Sequence, residues 1–435
     1  MKYQSLNHNA KDVSFLEAVR RGLAPDRGLY FPSEIPKLKE SFIKSIHKYS
    51  DHEIAYRIIQ PYVGKDIPNE RLKNIVQETL NFDFPIVEIT NAIATLELFQ
   101  GPTLAFKDVG ARFMARCLAY ANETHKKENL TVLVATSGDT GGAVADGFYK
   151  IKGINVVILY PKGKVSEIQE KQLTTLGHNI TALEVDGSFD DCQDMVKSAF
   201  TDTELINNIT LTSANSINVA RWLSQMFYYF IAYKNRPNPD KKLVISVPSG
   251  NFGNICAGLM AQQMGLPIEH FIASTNVNDT VPEYLNSGTY NPKKSIQTIS
   301  NAMDVGDPSN FIRIQKIFNN DFFKIKKIIS GFSYTDKVTE KALKEIFNIN
   351  GYIADPHGTV GYLGLKEYIE AQENPESYQG LFLETAHPIK FLDAIKKVLK
   401  TDIETPQRLK GILDRKKLSI PISEYKELKF YLLSS

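Results

Sequence analysis

The chain predicts an α/β fold with parallel sheets covered by helices on both faces, preceded by an α-rich N-terminal unit, on three observations. From residue 131 onward, short β-branched runs alternate with amphipathic stretches of helical period. Two of the connections, 137–142 and 249–254, are glycine-rich turns leading from a strand into a helix. The first eighty or so residues lack this rhythm, and Pro25, Pro32, Pro36 and Pro68 interrupt their helical patterns.

In chain order, 14–21 and 52–61 read as helices of the N-terminal unit. In Gly101-Pro-Thr-Leu-Ala-Phe-Lys-Asp108 an apolar run delivers Lys107 to the start of a helix. Strands are expected at 131–136, 154–160, 179–185, 242–247 and 268–274, with helices between them; such runs suit parallel sheets buried on both faces. Asn215-Ser-Ile-Asn-Val-Ala-Arg221 is expected to open a helix running through 222–233, with Ser216 as its cap. The interval 276–330 has weak periodicity and several Pro, Gly and Asn residues, a composition suited to loops over a site. The lysines of 324–327 read as a solvated helix face. The expected organisation is an N-terminal domain at 1–82, the first part of a large domain at 83–130, a small domain at 131–235, and the remainder of the large domain at 236–435.

With 435 residues, 43% of them hydrophobic, the chain has material for two or three domains and a sizeable core. Its 51 Lys+Arg and 49 Asp+Glu leave a net charge of +2, which gives no electrostatic reason to expect nucleic acid or a membrane surface as partner. No apolar run approaches the roughly 20 residues of a membrane-spanning helix. Three widely spaced cysteines and a polar start point to a reducing cytoplasm, and Cys256 reads as a buried small apolar group.

The chemistry-bearing residues sit at these turns. A desolvated lysine has a lowered pKa and can attack a carbonyl, which makes Lys107 a candidate cofactor anchor. Ser137-Gly-Asp-Thr-Gly-Gly142 and Ser249-Gly-Asn-Phe-Gly-Asn254 would each present backbone N–H groups and a helix N-terminus to an anion. Arg221, one turn into its helix, is the side chain suited to bidentate phosphate binding. Neither glycine loop fits a dinucleotide fingerprint and no P-loop is present, so a non-nucleotide phosphate is the better expectation.

Taken together, Gly101-Pro-Thr-Leu-Ala-Phe-Lys-Asp108, Ser137-Gly-Asp-Thr-Gly141, Asn215-Ser-Ile-Asn-x-x-Arg221, Gly250-Asn-Phe-Gly-Asn254, Asp355-Pro-His357 and Thr385-Ala-His-Pro388 resemble the threonine synthase family, in matching order. Gly22-Leu-Ala-Pro-Asp-Arg-Gly-Leu-Tyr-Phe-Pro32 is similar to that family's leading segment, so the resemblance covers essentially the whole chain. It implies a fold type II pyridoxal 5′-phosphate enzyme, like the tryptophan synthase β-subunit. By motif position, Lys107 is the Schiff-base lysine; Gly250, Asn251, Phe252, Gly253 and Asn254 cradle the cofactor phosphate; and Thr385 faces the pyridine nitrogen. Ser137, Gly138, Asp139 and Thr140 receive the substrate carboxylate, while Asn215, Ser216 and Arg221 hold the substrate phosphate with help from Thr140.

The implied reaction converts O-phosphohomoserine and water into threonine and phosphate, with Lys107 moving protons. Val219 and Ala220 fill variable sites, and Gly358 stands where a threonine is commoner; neither change removes a reactive group. His357 is expected to order a loop and cap, and His387 the turn beside Thr385. The resemblance leaves monomer or homodimer open, and closure between the small and large domains is expected because water must be excluded until the last step. Three other readings compete: a related pyridoxal phosphate dehydratase or phospholyase, a catalytically silent pyridoxal phosphate-binding protein, and a metal hydrolase on Asp355, His357 and His387, which lacks ligands at recognisable spacing.

Overall fold

In the computed structural model, which describes residues 1–124 and 130–434, the five expected strands fold at Leu130–Ala135, Ile154–Pro161, Ile180–Val185, Lys242–Pro248 and His270–Thr275. The expected close of the 83–130 segment lies mostly outside the described residues. The strands divide between two sheets. One is wholly parallel and five-stranded, in spatial order Ile420–Ile422, Ile180–Val185, Ile154–Pro161, Leu130–Ala135, Thr210–Ser213. The other has six strands in the order Ile329–Ser333, His270–Thr275, Lys242–Pro248, Tyr378–Glu384, Ile93–Glu97, Ile86–Glu88, and only the last edge strand runs antiparallel. Helices cover both faces, and Val132, Leu133, Val134, Val244 and Ile245 are fully buried, as parallel strands require.

Several of these strands were not expected, and their composition explains why. Tyr378–Glu384 reads Tyr-Gln-Gly-Leu-Phe-Leu-Glu, where Gln379, Gly380 and Glu384 interrupt the apolar run although all three are buried. Gly380 lets the helix Pro356–Glu370 lie close, since a Cβ there would sit 2.7 Å from Ile369 Cδ1. Thr210–Ser213 is short and mostly hydroxylated. The N-terminal unit packs Phe15–Arg21, Asp51–Val63 and Asn69–Thr79 beneath a two-stranded antiparallel ribbon, Tyr3–Ser5 with Tyr30–Pro32. The second of these helices continues past Pro61, which lies in its last turn.

Two expectations are corrected. The tail of 236–435 leaves the large sheet: Ile420–Ile422 pairs with Ile180–Val185, and Leu428 and Leu432 join the apolar cluster of the small sheet. The helix expected through 222–233 is two helices, Val219–Leu223 and Met226–Asn235, because Ser224 Oγ and Gln225 Nε2 turn back to donate to the carbonyls of Ala220 and Arg221. Its cap is Asn218, whose side chain accepts from Ala220 N, and not Ser216. Among the described residues no helix is long and apolar enough to cross a membrane.

Parallel strands send their carboxyl ends in one direction, so the turns after Leu130–Ala135, Thr210–Ser213, Lys242–Pro248 and Tyr378–Glu384 can converge.

Candidate active site

Those turns line one cavity, together with Lys107. Lys107 is the first residue of the helix Lys107–Thr124, and the turn before it is fixed by its own polar groups. Asp108 accepts from Thr103 N at 2.9 Å and from the Thr103 hydroxyl, and Gly101 leaves room for that carboxylate, since a Cβ there would sit 2.3 Å from Asp108 Oδ2. Burial raises the Asp108 carboxyl to about 6. Phe106 N donates to Thr385 O at 2.8 Å and His387 N to Leu104 O at 3.1 Å, so Lys107 and Thr385 are held across one short backbone ladder. Burial lowers the Lys107 ammonium to about 8; Asp139 pulls it up, and Lys390 and Arg221 push it down.

The turn 249–254 enters the helix Gly253–Gln263 through Phe252, which adopts a left-handed φ of 59°. Gly250 is required by close approach, because a Cβ would lie 2.8 Å from Met303 Cα and 2.9 Å from Ala302 O. Asn251 is anchored by Ser309 and Asn310, which donate to its side chain and carbonyl. Asn254 Oδ1 accepts from Tyr229 Oη at 2.8 Å, leaving its Nδ2 buried and without a partner in a cavity-lining residue. An unpaired buried amide costs about 1–3 kcal/mol, and an acceptor in the cavity would remove that cost.

The same cavity is lined by Asn215, Ser216 and Arg221. Arg221 is 4% exposed, donates from Nη1 to Ala214 O at 2.9 Å, and leaves Nε without a partner. Burial lowers its guanidinium to about 10, still charged at neutral pH. Gly110 makes its place, since a Cβ there would sit 2.9 Å from Arg221 O and 3.1 Å from Nε. The 215–217 turn is held by a residue the sequence did not suggest: fully buried Arg313, which donates to the carbonyls of Ser216 and Ile217 and stacks 4.3 Å over Trp222. Its one sequence signal was a lone arginine between Phe311 and Ile314 in an apolar helix. Asn310, also unforeseen, donates to Ser216 Oγ at 3.1 Å.

The loop 137–140 splits. Ser137 and Thr140 line the cavity; Gly138 and Asp139 are not among its lining residues. Gly138 takes a φ of 136° with Gln169 pressed against it. Asp139 turns into the protein, where it accepts from Lys390 Nζ at 2.8 Å and Gln169 Nε2 at 3.0 Å. Burial alone would raise its carboxyl, but Lys390 and Lys107 hold it well below the usual range. The Asp139 carboxylate thus faces donors of the protein itself, and what Gly138 and Asp139 can offer an anion is the backbone of the loop.

His357 lines the cavity as well; Asp355 Oδ1 lies 2.6 Å from its Nδ1, and its Nε2 accepts from Ala302 N at 3.2 Å. Asp355 caps the helix Pro356–Glu370. His387 Nδ1 accepts from Ile389 N, and burial lowers its imidazole to about 4. Among the described residues no group of three His, Cys, Asp or Glu could hold a metal ion. The unusual Gly358 has a steric cause: a Cβ there would lie 2.0 Å from Glu384 Oε1. The interval 276–330 supplies 301–305 to the cavity wall, including Asp304, which accepts from Thr298, Asn276 and Asn278 and is raised to about 6 by burial.

The chain matches three family descriptions: pyridoxal-phosphate dependent enzyme over residues 85–384, threonine synthase N terminus over 2–80, and threonine synthase, C-terminal, over 359–429. It is 45% identical to a threonine synthase from Buchnera aphidicola (Acyrthosiphon pisum), with 100% of both chains covered. It is 43% identical to that of Escherichia coli K12 over 94% of each. The crystal structure of E. coli threonine synthase superposes with a TM-score of 0.92 at 41% identity and 100% coverage of both chains. A pyridoxal phosphate-bound threonine synthase from Brucella melitensis does so at 0.92 and 34%, covering 100% of this chain and 99% of that one.

Proposed function

The chain belongs to the threonine synthase family of pyridoxal phosphate-dependent enzymes, and from that membership we propose how its residues divide the conversion of O-phospho-L-homoserine and water into L-threonine and phosphate. The residues present fit the cofactor: an amine lowered to about 8, an unpartnered buried Asn254 amide and a glycine turn at a helix N-terminus meet in one cavity. Lys107 would hold it covalently through Nζ, 250–254 would cradle its phosphate, and the Thr385 hydroxyl would face its ring nitrogen. When bound, pyridoxal phosphate supplies an electron-withdrawing ring that stabilises negative charge at the substrate carbons.

The remaining steps fall to side chains. Ser137 and Thr140 bind the substrate carboxylate, and Arg221, Asn215 and Ser216 bind the substrate phosphate. Lys107 Nζ would take the α-proton and handle the later transfers at the β and γ carbons. Its lowered pKa supports this role, because an amine near 8 is in part neutral at physiological pH. Arg221 holds the leaving phosphate as it departs, and the packed 301–305 wall limits entry of water until addition at the β-carbon.

One observation carries this division of labour: a buried arginine whose Nε has no partner lines the same cavity as Lys107. It also favours a phosphorylated substrate over the plain hydroxy-amino acid of a dehydratase. The test is phosphate release and threonine formation from O-phosphohomoserine by the purified holoenzyme, beside homoserine. Equimolar threonine and phosphate is the expected result; a 2-oxo acid in place of threonine, or equal turnover of homoserine, overturns the reading.

A further inference from the structure

Lys390 follows Thr385 by five residues, in the short turn Pro388–Phe391, and its side chain is 0% exposed. Its Nζ lies 2.8 Å from Oδ1 of Asp139, itself 5% exposed and 251 residues away in sequence. Asp139 opens the helix Asp139–Phe148, directly between Ser137 and Thr140. Gln169 donates to the same oxygen and is itself locked, its Oε1 accepting from Ser166 N at 3.1 Å. Neither Asp139 nor Lys390 is among the cavity-lining residues, whereas Ser137, Thr140 and Thr385 are. The pair therefore joins two loops that face the site from different sheets, and it does so from behind.

We propose that Lys390 is a positioning residue for the reaction: its buried bond to Asp139 holds the loop of Ser137 and Thr140 in register with the loop of Thr385. An exposed pair would contribute little, but removing one partner of a buried pair leaves an uncompensated charge. The loop must then shift to hydrate that charge, and a shift of about 1 Å at a substrate-binding group costs about 10²-fold in rate. The same pair bears on Lys107, which Asp139 raises and Lys390 lowers, with Arg221 also lowering it. Lys390 acts in the same sense on Asp108 and His387.

This inference rests on the site reading above, and the two fail differently. The holoenzymes of Lys390→Met, Asp139→Asn and the double variant are assayed with O-phosphohomoserine. In cofactor-free protein, acylation of Lys107 is followed against pH by peptide mass spectrometry. Lys390→Met is expected to lose about 10²-fold in kcat/KM, chiefly through KM. The double variant, which buries no lone charge, recovers about tenfold of that loss. The Lys107 titration midpoint moves up in Lys390→Met and down in Asp139→Asn, opposite directions that general loosening would not produce. Should Lys390→Met fail to fold, the double variant and Asp139→Asn still carry both readouts. Wild-type kcat/KM and an unmoved Lys107 midpoint in these variants overturn the proposal, as does a double variant no better than Lys390→Met. A wild-type enzyme that releases no phosphate overturns the site reading instead.

Discussion

Replacing Arg221 by alanine tests the anion side of the site most directly. The side chain is 4% exposed, has one protein acceptor in Ala214 O, and keeps Nε unpaired beside the cavity. Besides Ala214 O, Asp108 and Tyr228 favour its charged form, and an anion entering the cavity would do so directly. A buried charged hydrogen-bonding group aimed at a substrate is worth about 2–5 kcal/mol, or roughly 30- to 5,000-fold in kcat/KM. The loss should fall on O-phosphohomoserine and scarcely on homoserine, so the ratio of their kcat/KM values collapses by the same factor. Arg221→Lys should lie between, since a point charge replaces a planar fork. Stability should change little, because the cost of a buried unpaired cation disappears with the side chain while Ala214 O loses a donor. The assay is phosphate release at varied substrate with thermal unfolding in parallel. If Arg221→Ala keeps the wild-type ratio of the two substrates, the phosphate assignment is wrong.

Three further outcomes follow from the same geometry. Gly358→Thr should destabilise the protein by about 1–3 kcal/mol, because a new Cβ would fall 2.0 Å from Oε1 of the fully buried Glu384; an unchanged unfolding midpoint would count against it. Reassociation of pyridoxal phosphate with cofactor-free protein should accelerate as pH rises, with a midpoint near 8, since only the neutral Lys107 amine attacks; a pH-independent rate would reject the lowered pKa. His270, lowered to about 4 by burial, bonded to Ser330 Oγ and stacked on Tyr368, is neutral in the folded protein. The unfolded chain binds its proton near 6.5, so this group's contribution is present above that pH and is lost as pH falls toward 4, amounting to at most about 3 kcal/mol. His270→Phe should flatten that part of the acid unfolding profile, and an unaltered profile would remove His270 as its cause.

The candidate residues that line the cavity were legible because each lies in a local motif whose chemistry does not depend on distant residues. Lys107 ends an apolar run, 250–254 is a glycine turn into a helix, and Arg221 sits one turn past a capped loop. Groups that depend on a partner far away in sequence were not legible. Within its loop, nothing local told that the Asp139 carboxylate would turn to Lys390 and Gln169. Arg313 looked like an ordinary helix residue, yet it holds the carbonyls of Ser216 and Ile217 from about a hundred residues away. The strand Tyr378–Glu384 was hidden for the same reason, since Gln379 and Glu384 are buried polar groups whose partners lie in other elements.

By itself the sequence determined the fold class, the family, and the candidates for the site, since periodicity, turn chemistry and motif spacing are local properties. Only the tertiary structure decided which side chains face the cavity and which stand behind it. A loop residue's orientation is set by whichever buried donor or acceptor reaches it, and that partner is chosen by packing between the sheets.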